Sequence, residues 1–253
     1  MDVLDPGATI GILGGGQLGR MLSQAAGRLG FDVVILDPQA NSPAGRVSRD
    51  QIVAAYDDIA ALTKLGQVSD VVTFEFENVP ASSVSALAAT GVRVAPGPRA
   101  LAVAQDRVEE KTFLNSVGAT TVEFAPIDSL DDLASALSRL GTPALLKTRR
   151  DGYDGKGQVW IRDTAQAEAA YAELGGKPAI LEARADFSRE LSIIAARAQN
   201  GTIATYPLGE NIHDGGVLRT THAPVQTDEA TVARARAIAE RILTGLDYVG
   251  VMG

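Results

Sequence analysis

Glycines and cations alternate in one stretch of this sequence, "KTRRDGYDGKGQ" at residues 147–158. Gly152, Gly155 and Gly157 supply backbone N–H groups that can approach an anion closely, and the surrounding lysines and arginines offset its negative charge. The G-x-x-x-x-G-K-[ST] spacing of a P-loop is absent. The stretch therefore predicts a loop that closes over a polyphosphate, with a basic hairpin turn as the alternative.

A second glycine run, "GILGGGQLGRM" at residues 11–21, lies where an apolar strand pattern changes to a helical one. Gly14, Gly16 and Gly19 have the G-x-G-x-x-G spacing, which places a phosphate at a helix N-terminus. Asp37 ends the next strand pattern, near the position of a ribose-binding acid. These residues leave an NAD(P)-dependent oxidoreductase open, beside a tight turn that only packs helix onto strand. The sequence shows no Tyr–Lys or His–Asp arrangement for hydride transfer.

Two acids, Glu75 and Glu77, alternate with phenylalanines in "TFEFENVP". The alternation predicts that both acids point to one side at the carboxyl end of a strand, where open α/β sheets bind their ligands. A solvated edge is the alternative, because glutamate is rarely buried without a partner.

Bulk composition narrows the classes of function. With 45% hydrophobic and 21% charged residues, the chain has the balance of a globular protein. Its net charge of −8 argues against nucleic-acid partners and anionic membranes, which need a basic face. The lack of cysteine excludes disulfides and thiolate chemistry. No signal peptide or membrane span is evident, so we expect a cytoplasmic protein.

Alternating strand and helix patterns over the first hundred residues predict an α/β fold with a doubly wound parallel sheet. Shorter strand patterns and glycine-rich turns follow, and predict an α+β part with largely antiparallel sheets. Among single elements, we expect residues 70–77 to form a strand, and residues 101–117 and 228–243 to form one helix each. The last apolar run, "YVGVMG", has a strand pattern that stops at Gly253, so we expect the chain to be truncated there.

Several motifs together resemble ATP-grasp ligases and, within them, the carboxyaminoimidazole ribonucleotide synthetase family of purine biosynthesis. The resemblance runs from about residue 9 to 252 and rests on "GILGGGQLGRM", "TFEFENVP", "AQDR", "GYDGKGQ", "LEARADFSREL" and "NIHDGGVLRTTHAPV". It implies a pre-ATP-grasp domain over 1–105, a small ATP-grasp subdomain over 106–180 with the glycine loop, and a large subdomain over 181–253, incomplete at the C-terminus.

The resemblance implies a reaction and its reactants. ATP would phosphorylate bicarbonate to carboxyphosphate, and the carboxyl group, or released CO2, would pass to the exocyclic amine of 5-aminoimidazole ribonucleotide. The enzyme would be a homodimer that uses ATP and Mg²⁺. The acids that hold Mg²⁺ in this family would lie beyond Gly253, so we expect the 253-residue chain to bind nucleotide poorly and not to turn over.

The resemblance also implies roles for single residues. For ATP these are Arg107, Lys147, Gly152, Tyr153, Asp154, Gly155, Lys156, Gly157, Gln158, Glu182, Ala183, Arg184, Ala185, Glu190 and His213. For the ribonucleotide they are Gln17, Leu18, Glu75, Tyr153, Asp154, Lys156 and Arg219, and the catalytic residues among these would be Lys156, Asp154 and Arg219. Lys156 stands where the family usually has arginine, which keeps the charge and loses the bidentate fork.

Residue chemistry alone leaves alternatives at several of these positions. Lys147 can end a solvated strand, Glu190 can be a surface acid and His213 can be a loop residue. Three other functions also stay open: the oxidoreductase, a non-catalytic nucleotide-binding protein, and a sister ligase such as the formate-dependent glycinamide transformylase.

Overall fold

The computed structural model describes residues 3–150, 152 and 156–253. The chain divides into two compact units, Met1–Ala102 with Leu246–Gly250 and Val103–Gly245 with Val251–Gly253. Within the described residues, no helix combines the length and the apolar character that crossing a membrane requires. The expected division of the second unit into a small subdomain that ends at residue 180 and a large subdomain that follows it stays a prediction.

The first unit contains a five-stranded parallel sheet. Its strands are β1 (Thr9–Leu13), β2 (Asp32–Asp37), β3 (Asp50–Val53), β4 (Val71–Phe74) and β5 (Arg93–Val94), and its helices are α1 (Gln17–Arg28), α2 (Ile59–Val68), α3 (Ala81–Ala89) and α4 (Pro98–Ala104). The strand order is β3-β2-β1-β4-β5, and all four pairings are parallel. The predicted doubly wound sheet is confirmed, with β1 and β4 on either side of the point where the strand order reverses.

Local sequence explains how these elements begin and pack. Asp58 accepts a hydrogen bond from the N–H of Ala61 and so caps α2. Leu62 and Leu65 of that helix are buried against Val72 of the sheet. Strand β4 ends at Phe74, so the expected strand over residues 70–77 is wrong in its last three residues. The carboxylate of Glu75 explains this end, because it turns toward the backbone of α1.

The second unit contains three groups of strands with largely antiparallel pairing. Its elements are α5 (Arg107–Ser116), β6 (Phe124–Ile127), α6 (Leu130–Leu140), β7 (Ala144–Thr148), β8 (Gln158–Ile161), α7 (Ala167–Glu173), β9 (Ala179–Ala183), β10 (Glu190–Ser192), β11 (Ala195–Arg197), β12 (Ile203–Thr205), β13 (Gly209–Asp214), β14 (Val217–His222), α8 (Glu229–Gly245) and β15 (Gly250–Met252). The sheets have the orders β6-β9-β7-β8, β10-β13-β14 and β12-β11-β15. The α+β part with largely antiparallel sheets is confirmed.

The single helix expected over residues 101–117 is wrong, because the structure has two helices, α4 and α5, there. Asp106 separates them: its backbone is extended, and its carboxylate accepts hydrogen bonds from the N–H groups of Val108 and Glu109. An aspartate N-cap satisfies donors that a continuous helix would have given to the preceding turn. The helix near the C-terminus is present as α8.

Truncating the core of the second unit should destabilise it strongly. Leu133 of α6 is fully buried, so Leu133→Ala should lower the free energy of unfolding by about 2–5 kcal/mol through lost burial and a cavity. Leu130→Ala, at a 41% exposed position of the same helix, is the matched control and should cost roughly 0.5–1 kcal/mol. Urea unfolding followed by circular dichroism measures both, and equal losses would contradict the assignment of the core.

Candidate ligand sites of the two units

The glycine turn after β1 is filled by a carboxylate of the protein. Glu75 accepts a hydrogen bond of 2.7 Å from the N–H of Gly16 and another from the N–H of Gly19. Gly14 has φ +103°, and a Cβ there would lie 2.4 Å from the Glu75 side chain, so glycine is required. The carboxylate therefore occupies the N-terminus of α1, where a dinucleotide fold binds its pyrophosphate.

Asp37 has its oxygens engaged within the first unit. It accepts hydrogen bonds from the N–H groups of Gly15 and Gln39, both at 2.7 Å, and from the Tyr56 hydroxyl at 2.8 Å. Burial, followed by the bond to Asp37, raises the pKa of Tyr56 above its usual range, so the phenol stays a donor. Asp37 thus holds the glycine turn in place and does not support the ribose-binding role of the oxidoreductase alternative.

The other residues expected at the ribonucleotide lie at the same turn. Gln17 and Leu18 begin α1 and are exposed, and the Leu18 side chain is 57% exposed. Glu77 lies beyond the end of β4 together with Glu75, so the expectation that both acids alternate along a strand is wrong.

In the second unit, Glu182 lies between two lysines. One carboxylate oxygen accepts a hydrogen bond of 2.9 Å from Lys147 Nζ, and the other lies 3.4 Å from Lys111 Nζ. The Glu182 side chain is only 9% exposed. Two ammonium groups therefore compensate one carboxylate that has lost most of its water.

A cavity of about 440 Å³ opens beside this cluster. Strand register brings its walls together, because Leu145 of β7 pairs with Trp160 of β8 and with Glu182 of β9. The cavity is lined by Val122, Leu145, Lys147, Trp160, Glu182, Ala183, Arg184, Ala185, Asp186 and Phe187. Four consecutive residues that were expected at ATP, 182–185, line it. A cavity with apolar side chains on part of its wall and a lysine on another part suits a flat heterocycle linked to an anion.

Contacts hold the two ends of the glycine loop in place. Arg107 Nη2 donates a hydrogen bond of 2.8 Å to the carbonyl of Gly152. The N–H of Thr148 donates to the carbonyl of Gly157 at 2.9 Å. Gly157 has φ +69°, and a Cβ there would lie 2.8 Å from the threonine hydroxyl. Lys156 is exposed, and Gln158 pairs with Lys147 in the sheet.

Three of the expected loop residues, Tyr153, Asp154 and Gly155, lie outside the described residues. Their roles stay predictions.

Asp106 forms ion pairs with two arginines at the start of the glycine loop, Arg149 and Arg150. Arg149 binds it with both Nε and Nη2, at 3.1 and 2.8 Å, and Arg150 Nε lies 3.3 Å from it. Burial raises the pKa of Asp106, but the bond from Arg149 and those from the Val108 and Glu109 N–H groups outweigh it, so the net pKa is lowered. These arginines thus fix the base of the loop to the start of α5.

The sheet β10-β13-β14 carries the remaining expected residues. Glu190 Oε1 lies 3.2 Å from His213 Nδ1, and it accepts a 3.5 Å hydrogen bond from the Asn211 amide. Asn211 Oδ1 accepts a bond from Thr221, and Arg219 is two residues from Thr221 along β14. On β14, Thr220 pairs with Ile212 and Leu218 pairs with His213, so Arg219 lies at a register irregularity between these two pairs.

Magnesium ligands are not grouped in the described ranges. Residues 3–150, 152 and 156–253 contain no cluster of three or more His, Asp or Glu side chains that could hold a metal ion. The implied Mg²⁺ does not fit the residues described, and no step below is routed through it.

Sequence reasoning missed four residues of these sites: Asp106, Lys111, Trp160 and Asn211. A helix signal could have found two of them. Asp106 is a favourable N-cap, and Lys111 stands four residues after Arg107 and so shares a helix face with it. Trp160 and Asn211 gave no such signal, because their roles depend on pairing with distant strands.

Removing the charge of Asp106 should loosen the base of the loop. Asp106→Asn keeps an oxygen at the helix cap but loses the negative charge that faces two arginines. The free energy of unfolding should therefore fall by about 1.5–3 kcal/mol. Asp186→Asn is the control, because that side chain is 98% exposed, and it should change stability by less than about 0.5 kcal/mol. Urea unfolding at pH 7 measures both.

The ion pair between Asp106 and Arg149 also makes the free energy of unfolding depend on pH. Because the pKa of Asp106 is lower in the folded state, its contribution is complete above the unfolded pKa, near the ordinary 3.8, and is lost as the pH falls through the folded pKa. The difference between the parent chain and Asp106→Asn should therefore shrink below about pH 4. A constant difference down to pH 2 would contradict this assignment.

Comparisons with known proteins cover almost the whole chain. A family model described as the ribonucleotide synthetase pre-ATP-grasp domain matches residues 7–105, and the ATP-grasp domain model matches residues 112–253. The N5-carboxyaminoimidazole ribonucleotide synthase of Brucella melitensis is 50% identical over 252 residues, which are 99% of this chain and 69% of the relative.

Solved structures agree with this. The N5-carboxyaminoimidazole synthetase of Staphylococcus aureus in complex with ADP is 37% identical, with a TM-score of 0.92, over 98% of this chain and 66% of that one. The Aspergillus clavatus enzyme with ADP and 5-aminoimidazole ribonucleotide is 27% identical, with a TM-score of 0.87, over 97% and 65%. The chain thus spans about two thirds of the length of these relatives. It belongs to the N5-carboxyaminoimidazole ribonucleotide synthase family of ATP-grasp ligases.

Proposed function

We propose that the protein carrying this chain carboxylates 5-aminoimidazole ribonucleotide with ATP and bicarbonate. The observation that carries the proposal is the cavity of the second unit, in which Lys147 and residues 182–185 meet beside Trp160. ADP is bound by the Staphylococcus aureus relative, and ADP together with the ribonucleotide by the Aspergillus clavatus relative. A cytoplasmic location and a homodimer belong to the same proposal.

The adenine nucleotide binds in the second unit. Its base enters the cavity and meets the backbone of residues 183–185, whose N–H and C=O groups can pair with the edge of adenine. Lys147 donates to a phosphate, and Arg107 with the loop of residues 152–158 encloses the phosphates beyond it. Glu190 accepts hydrogen bonds from the ribose hydroxyls, while His213 stands beside it toward the phosphates. The distance of 3.2 Å between Glu190 and His213 supports a shared position for these two side chains.

The ribonucleotide uses Gln17, Leu18 and Glu75 of the first unit. Because the Glu75 carboxylate already takes the N–H groups of Gly16 and Gly19, the turn suits a ligand that donates hydroxyl or amine protons better than a bare phosphate. This preference supports a ribonucleotide and disfavours the pyrophosphate of NAD.

The reaction divides into two balanced steps. A bicarbonate oxygen attacks the γ-phosphorus of ATP, which forms carboxyphosphate and releases ADP. The exocyclic amine then attacks the carboxyl carbon of carboxyphosphate, and phosphate leaves with the bonding electrons; where carboxyphosphate has first decomposed to CO2 and phosphate, the amine attacks that CO2. In both cases the amine gives up one proton, which the released phosphate can accept. Lys156 and Arg219 supply positive charge to the oxyanions, and Asp154 orients the amine.

Tryptophan fluorescence should report nucleotide binding directly. Trp160 is the single tryptophan of the chain and lines the proposed adenine cavity, so ADP or ATP should change its emission in a saturable way. Lys147→Met should weaken ADP binding by roughly tenfold or more, the loss expected for one charge-assisted bond. Lys64→Met, at an exposed position of α2, is the matched control and should leave affinity unchanged. A response to NAD and none to ADP would overturn the nucleotide assignment.

Turnover is tested at the length of the curated relatives. The 253-residue chain, alone and joined to the C-terminal third of the Brucella melitensis relative, is assayed for use of 5-aminoimidazole ribonucleotide. The joined protein should consume it only with ATP and bicarbonate, and Glu75→Gln should lower kcat/KM for it by at least about tenfold through the lost carboxylate acceptor. Activity with formate and glycinamide ribonucleotide instead would favour the sister ligase. Binding of ADP without any turnover of the joined protein would favour the non-catalytic alternative.

A further inference from the structure

We propose that Lys111 is a positioning residue for the nucleotide site: it holds the Glu182 carboxylate so that Lys147 can turn to a phosphate. The inference rests on the proposed function, because it concerns the same adenine nucleotide. It adds a residue to which no role has been given and a reason for the position of α5.

The geometry assigns each lysine its own oxygen of Glu182. Lys147 Nζ lies 2.9 Å from Oε2, and Lys111 Nζ lies 3.4 Å from Oε1. Lys111 is the less exposed of the two, with 16% of its side chain accessible against 23% for Lys147. Lys147 lines the cavity, whereas Lys111 does not. The two ammonium groups are therefore not equivalent, since only one of them borders the space that a ligand would enter.

Helix α5 delivers Lys111 to this position. Arg107 and Lys111 are four residues apart and lie on one helix face, so the contact of Arg107 with Gly152 and that of Lys111 with Glu182 fix the same face at two points. Asp106 caps the helix at its start and binds Arg149. Lys111 is thus mounted on a helix that is tied to strand β7 independently of any ligand.

Lys111 affects nucleotide binding because leaving the buried Glu182 carboxylate without a positive partner costs free energy. If Lys147 were the only partner of Glu182, a phosphate could recruit Lys147 only by leaving that carboxylate without compensation, which is strongly unfavourable. The nucleotide would then compete with Glu182 for one ammonium group. With Lys111 in place, the carboxylate keeps a positive neighbour while Lys147 moves, and the cost no longer opposes binding.

Lys111→Met in two backgrounds and Lys111→Arg in one of them test the inference with Trp160 fluorescence and urea unfolding. Lys111→Met should raise the dissociation constant for ADP by roughly tenfold or more. The same substitution in a Glu182→Gln background should leave that constant unchanged, because the competing charge has been removed. Lys111→Arg should bind ADP nearly as the parent does. Lys64→Met serves again as the control for loss of a lysine.

The possible results distinguish a role of Lys111 in ADP binding from a purely structural role and from failure of the proposed function. A purely structural role would lower stability in Lys111→Met and leave the ADP constant unchanged, which would overturn the inference alone. An equal loss of affinity in both backgrounds would also overturn it. Absence of ADP binding both by the parent chain and by the chain joined to the C-terminal third of the Brucella melitensis relative would overturn the proposed function, and this inference with it. If Lys111→Met fails to fold, Lys111→Gln and the double variant with Glu182→Gln provide the same comparison.

Discussion

A carboxylate that is removed from water must be given donors, and the candidate sites of both units are built on this constraint. Asp37 and Glu75 take backbone N–H groups of one glycine turn, Asp106 takes two arginines, and Glu182 takes two lysines. Each interaction spans at least 22 positions of the sequence and so joins segments that are distant along the chain. Ligand-facing groups are therefore positioned by charges that the protein compensates itself.

The same constraint decides what the two glycine runs can do. In the first unit the anion site at the start of α1 is already filled by Glu75, which turns an apparent phosphate cradle into an acceptor for hydroxyl or amine groups. In the second unit the glycine loop ends beside a wall that carries Lys147 and a cavity large enough for a base. Two similar sequence signals thus differ in their chemistry, because in the first unit the N–H groups of Gly16 and Gly19 are already bonded to Glu75.

Much of the fold was predictable, because hydrophobic periodicity and turn residues act locally. The parallel sheet, the change to antiparallel strands and the helix near the C-terminus follow from such patterns. The errors occurred where a side chain makes a contact that periodicity does not encode. Asp106 divides the helix expected over residues 101–117, and Glu75 ends β4 early, both through hydrogen bonds to the backbone.

The sequence by itself determined the family, the fold class and the positions of both glycine runs, since motifs and periodicity are written in consecutive residues. Only the tertiary structure decided which donors each carboxylate holds. It pairs Leu145 with Trp160 and Glu182 across three strands, and it brings Lys111 to a carboxylate 71 positions away along the chain. The physical reason is that the cost of burying a charge depends on neighbours in space, which strand register and helix placement supply.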